Sequence, residues 1–138
     1  MPASRSAISL KALLSGGLTI LVLGLLMQLL FVAIAVGQLV FSRHFPGLDL
    51  LAQGVLYLSG LALLFLAMAG GGYVAAWVGS ERPFLHAALA ALIGGGLSFV
   101  QSLGVGGLTL TGVVLFLLSV PFALAGARLR QRQLKAHA

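Results

Sequence analysis

Acid–base chemistry needs carboxylates or imidazoles that converge, and this 138-residue chain offers five such side chains: Asp49, Glu81, His44, His86 and His137. Asp49 and Glu81 stand at the two ends of a long uncharged segment, so they cannot serve as a paired acid and base. The largest metal-ligating set on one side would be Glu81, His86 and His137, with the last on a loose basic tail. That is a poor three-ligand site. His86, close to the start of a helix, reads as an interfacial residue hydrogen-bonded to headgroup, water or turn backbone. There is no cysteine, hence no disulfide, thiolate nucleophile or cysteine-ligated metal. Gly70-Gly71-Gly72 and Gly94-Gly95-Gly96 are not phosphate loops, because no lysine follows them in the required pattern and no strand precedes them. No catalytic, cofactor or metal site is expected, and the chain does not read as an enzyme.

The remaining polar side chains suggest a different use. Gln38, Gln53 and Gln101 fall toward the same ends of three apolar segments, and Thr109 and Thr111 open a fourth. Facing inward, they would form an interhelical hydrogen-bond cluster or the mouth of a polar cavity; facing outward, they would only be solvated at the interface. Gln28 lies near the middle of the first segment, where a primary amide needs a partner on a neighbouring helix or another copy of the chain.

The elements that carry these residues follow from composition. Hydrophobic residues make up 60% of the chain and charged residues 7%, against about 25% charged in an ordinary soluble domain. Ten charges cannot build a water-facing surface, so the expectation is a single all-α domain, an integral membrane four-helix bundle. A span needs about 20 apolar residues. The uncharged runs place spans at approximately 18–41, 50–78, 84–103 and 108–127, followed by a basic tail at 128–138. Gly16-Gly17 is expected to bend the chain ahead of the first span, with Ser4 or Ser6 capping the helix start. Ala33-Ile34-Ala35 resembles a signal-peptide cleavage site, but the apolar run before it is too long for one, which favours an uncleaved span. Pro46-Gly47 marks a turn, and Asp49 suits the helix start that follows. Pro83 fits a first helical turn. Pro121 deprives the Leu117 carbonyl of its usual partner and is expected to kink the fourth span.

The second and third spans read as a tight hairpin. Ala67, Gly71, Ala75 and Gly79 recur every four residues, as do Ala87, Ala91 and Gly95. Folding the chain about Glu81 opposes Ala75 to Ala87, Gly71 to Ala91 and Ala67 to Gly95. Small residues let backbones approach closely where no hydrophobic force drives helices together.

Four spans put both termini on one side, which collects Arg5, Lys11, Arg82, Arg128, Arg130, Arg132 and Lys135, leaving only Arg43 opposite. The positive-inside rule then makes both termini cytoplasmic, in a multi-pass protein of the inner (plasma) membrane. The formal charge of +6 therefore reflects topology, and nucleic acid is not an expected partner. Arg128, Arg132 and Lys135 share a helical face suited to anionic lipid, although fixing orientation would account for them equally.

Gly71-Gly72-Tyr73-Val74-Ala75-Ala76, with Arg82-Pro83-Phe84-Leu85-His86-Ala87-Ala88-Leu89, resembles a group of small bacterial four-span membrane proteins of unknown function. The resemblance covers about 20 residues and implies a bacterial inner-membrane protein without supplying an activity. The small multidrug-resistance exporters share length and span count but rely on a glutamate in the first span, absent here. The membrane-bound glutathione transferase family uses asparagine and charged residues along its helices, and this chain has no asparagine. The functional expectation is a non-enzymatic membrane protein that works by helix–helix association, with itself or with a larger membrane complex. The alternative is an oligomeric pore, holin-like or a small-solute transporter, with the glutamines along its path.

Overall fold

The computed structural model describes residues 9–79, 81–106 and 109–136, without the side chains of 98 and 101–106. Four α-helices follow one another: α1 (Leu10–His44), α2 (Asp49–Val78), α3 (Pro83–Gly106) and α4 (Leu110–Ala136). A single 3-10 turn at Pro46–Leu48 joins α1 to α2. Among the described residues there is no strand, and the all-α bundle stands. Among the described residues, three helices, α1, α2 with its preceding turn, and α4, are long and apolar enough to cross a membrane.

The exterior has the character of a membrane-embedded protein. Large apolar side chains point outward, with Leu50 83% and Leu110 82% exposed, while ten of the thirteen buried hydrophobic residues are alanines. A water-soluble core is built the other way, from large side chains that gain by leaving water.

Helix boundaries differ from the sequence reading in three places. α1 runs unbroken through Gly16-Gly17 and is capped by Ser9, whose hydroxyl accepts from Ala12 N–H at 3.3 Å; Ser4 and Ser6 lie outside the described residues. At α2 the expectation holds: Asp49 is the first residue of the helix, and its carboxylate accepts from Gln53 Nε2 at 2.7 Å. α3 continues to Gly106, past the expected end of the third span at 103. α4 passes Pro121 and carries on to Ala136, so that most of the expected basic tail is helix.

α2 and α3 are in contact, and each also touches α1 and α4. α1 and α4 have no close backbone approach among the described residues. The cross-section is thus a rhombus, with α2 and α3 on its short diagonal and α1 and α4 at its far corners. A helix in α2's position needs three close-approach faces, and this is why its small residues do not all serve the hairpin.

The expected α2–α3 ladder is corrected accordingly. The open side of Gly71 faces Ile20 and the Gly16 carbonyl of α1, not Ala91. Gly95 faces Ser119 and Phe116 of α4, not Ala67. Ala75 shares a core cluster with Ile20, Met68 and Ala90, and Ala87 shares one with Ala76 and Ala127. Gly79, which the expected ladder left without an opposite residue, faces the ring of His86 of α3. Ala67 and Ala91 are buried. Gly79 and His86, which meet directly, have numbers summing to 165, as do Ala75 and Ala90 within one core cluster, while Ala76 and Ala87 of the other sum to 163, rather than 162. The cause is the tilt of every Cα–Cβ bond toward its helix N-terminus. Side chains on α2 lean away from the turn and those on α3 lean toward it, which displaces the pairing to higher numbers.

The glycines seated hardest on another helix's backbone, among the described residues, lie between α2 and α4. A Cβ on Gly72 would collide with the Ala123 carbonyl, and one on Gly126 with the Ala69 carbonyl. Helices alternating in direction along the chain leave α2 and α4 parallel. Their Cβ positions lean N-terminally and their carbonyls point C-terminally, so a reciprocal pair of this kind is what a parallel crossing produces. At the other side of α2, Gly16 marks the meeting of three helices: a Cβ there would lie 2.6 Å from Ala75 Cβ and 3.1 Å from Ala90 Cβ. The glycine expected to bend α1 instead lets α1 close on the hairpin.

Candidate functional site

Because α1 and α4 stand at opposite corners, a cleft of about 750 Å³ opens between them over α2. Leu21, Leu25 and Phe31 of α1, Leu61 and Leu64 of α2, and Leu115 of α4 line it. Small residues set its shape. Gly24 presents no side chain to the wall, and Gly60 leaves room for the Phe31 ring, 3.0 Å from where its Cβ would be. Among the described residues, polar groups enter at three points: Gln28, Tyr57 and Thr111. Gln28 is the deepest along the helix axis, 18 residues from Leu10 and 16 from His44, or about 27 and 24 Å at 1.5 Å per residue. Its amide has no hydrogen-bond partner among the described residues.

The other glutamines do not join it. Gln38 donates to Ser42 Oγ at 3.0 Å, and Gln53 donates to Asp49. Both are i,i+4 pairs within one helix, which satisfy the amide without bringing two helices into register. The Gln101 side chain lies outside the described residues. Thr109 caps α4, its hydroxyl accepting from Gly112 N–H at 3.1 Å. Gln38 and Gln53 are thus closed in local pairs rather than joined across helices, and Gln28 is left as an unpaired amide among the described residues.

His86 is 3% exposed, and its ring is committed to the backbone. Nε2 accepts from Ser9 N–H at 3.1 Å, and Nδ1 lies 2.9 Å from the Arg82 carbonyl. An acceptor at Nε2 and a carbonyl at Nδ1 select the tautomer with its proton on Nδ1. The turn backbone was one of three partners the sequence allowed His86; the bond to Ser9 was not legible, since nothing in residues 9 and 86 announces that α1 starts against this ring. A ring so bound cannot ligate a metal without giving up one of these bonds. His137 lies outside the described residues, and no group of three potential metal ligands forms among those described.

The basic end of α4 divides by face. Tyr73 of α2 donates to Gln133 Oε1 at 2.7 Å, and the Arg130 guanidinium sits 5.9 Å from the Tyr73 ring centroid. These contacts tie one face of α4 to α2. Arg128 and Arg132 line a second groove on the adjacent face and Lys135 lies outside it, all three being exposed.

Comparison with protein-family models, curated proteins and solved structures finds no match.

Proposed function

We propose that this chain is a four-span protein of a bacterial inner membrane, both termini cytoplasmic, that acts by helix–helix association rather than by catalysis. The 24 residues of α3 extend about 36 Å, enough for a hydrocarbon core of about 30 Å. The charge distribution supports the orientation: Lys11, Arg82, Arg128, Arg130, Arg132 and Lys135 gather at one end of the helices and Arg43 stands at the other.

One observation carries the association: an amide without a partner, midway along α1, in the wall of an apolar cleft. A primary amide has both donors and an acceptor, so two copies can pair their Gln28 side chains reciprocally across a two-fold axis. A helix of a larger membrane complex bearing a polar side chain would serve the same amide. The test is self-association of the full chain in lipid bilayers, followed by energy transfer between labelled copies at increasing lipid dilution, together with proximity labelling in cells. The expected result is a dimer or larger assembly weakened by Gln28→Leu, or a reproducible neighbour lost in the same variant. Monomers at every dilution and no reproducible neighbour would overturn the reading.

A further inference from the structure

The second groove, of about 400 Å³, follows one stripe of α4. Pro121, Leu124, Ala125, Arg128, Leu129 and Arg132 recur at three- and four-residue steps, and Phe65 of α2 walls the apolar end. The stripe changes character along the axis: apolar from Pro121 to Ala125, cationic from Arg128 to Arg132, over about 17 Å. Neither guanidinium has a hydrogen-bond or ion-pair partner among the described residues. The chain has two carboxylates, and among the described residues neither forms an ion pair with them. Asp49 is engaged with Gln53 at the far end of α2, and Glu81 is exposed in the hairpin turn. Arg130, by contrast, is turned onto Tyr73.

We propose that this groove seats one anionic phospholipid, its phosphate between Arg128 and Arg132 and an acyl chain along Phe65, Pro121 and Leu124. Charge complementarity selects the occupant. Two adjacent guanidiniums fork toward phosphate oxygens as they would toward a carboxylate, and the apolar-to-cationic gradient matches the change from hydrocarbon to headgroup. A soluble phosphate would use the arginines and leave the apolar half idle. The inference rests on the membrane reading above and refines it, because it separates Arg128 and Arg132, which bind, from Lys135, which does not.

The full-length chain carrying Trp77→Phe and Phe65→Trp has a single tryptophan inside the groove. It is reconstituted with brominated phosphatidylglycerol or brominated phosphatidylcholine as the quencher. Quenching is expected to favour phosphatidylglycerol by roughly five-fold or more in relative affinity. The preference should fall to about unity in Arg128→Gln/Arg132→Gln and survive in Arg128→Lys/Arg132→Lys, at reduced strength. Native mass spectrometry of the chain with Phe65 intact should show the same retention of phosphatidylglycerol and its loss in the glutamine variant, independent of any effect of the added tryptophan. Equal quenching by the two lipids, or a preference untouched by the glutamine substitutions, would reduce these arginines to topology determinants and overturn the proposal. Absence of quenching by either lipid would overturn it differently, by removing Phe65 from the bilayer and the membrane reading with it.

Discussion

The backbone N–H of Ser9 donates to Nε2 of His86 at 3.1 Å, across 77 positions of sequence. Helix starts leave backbone donors without intrahelical partners. Here one of them is satisfied by a ring on another helix, while the Ser9 hydroxyl serves Ala12. The ring occupies space vacated by Gly79, whose φ of −97° is open to any residue. Glycine is required there for room, since a Cβ would lie 2.6 Å from the imidazole Cγ.

His86→Ala should therefore destabilise the chain by about 1–3 kcal/mol, the cost of leaving buried polar groups unpaired. Gly79→Ala should cost a comparable amount by displacing the ring. With the ring absent, Gly79→Ala should be nearly neutral, so the double variant should be no worse than His86→Ala alone. Thermal unfolding of the four proteins in one detergent measures the cycle, and simple additivity would mean that the two residues do not share this space.

The same geometry fixes a tautomer. Long-range ¹⁵N–¹H correlation spectra of histidine-labelled protein should show the His86 proton on Nδ1, with Nε2 as the acceptor. A ring carrying its proton on Nε2 could not accept from Ser9, and would break the link between α1 and the hairpin.

Glycines of identical helical context should behave oppositely. Gly126→Ala drives a methyl into the Ala69 backbone, which cannot rotate away as a side chain can, and should cost about 2 kcal/mol or more. Gly24 and Gly54 have nothing within 4 Å of their would-be Cβ, so alanine there should be neutral or stabilising by up to about 1 kcal/mol. Unfolding in a common detergent ranks them, and similar effects at all three positions would contradict the α2–α4 contact.

The glutamines separate in the same way. Gln28→Leu should weaken self-association in bilayers or remove a proximity-labelled neighbour. Gln38→Leu and Gln53→Leu, which delete pairs closed within their own helices, should leave association unchanged and alter stability by about 0.5 kcal/mol or less. The energy-transfer assay that reads Gln28 reads these controls, and equal effects from all three would point to general polarity rather than one amide.

Much of the architecture was written in residue order. The run from Leu50 to Ser80 without a charge, bounded by Asp49 and Glu81, defines α2 almost to the residue, because a long apolar stretch between charged or turn-forming positions has few other ways to satisfy its backbone. Pro83 opens α3 for an equally local reason. The sites were less legible. Gln28 was recognisable as an amide at mid-helix depth, but its cleft depends on α1 and α4 standing apart. Arg128 and Arg132 were recognisable as one face, but Phe65, which walls the apolar end of their groove, comes from a helix more than fifty positions away.

By itself the sequence determined the helical class, the span-length segments and the end at which basic charge collects, all consequences of composition and local periodicity. Tertiary structure decided which face of α2 each neighbour takes. Small residues at four-residue spacing allow close approach without naming a partner, and α2 carries such residues on several faces at once. The choice was settled by reciprocal fit: Gly72 against Ala123, Gly126 against Ala69 and Gly16 against Ala75 are pairings of shape, which exist only when both helices are present.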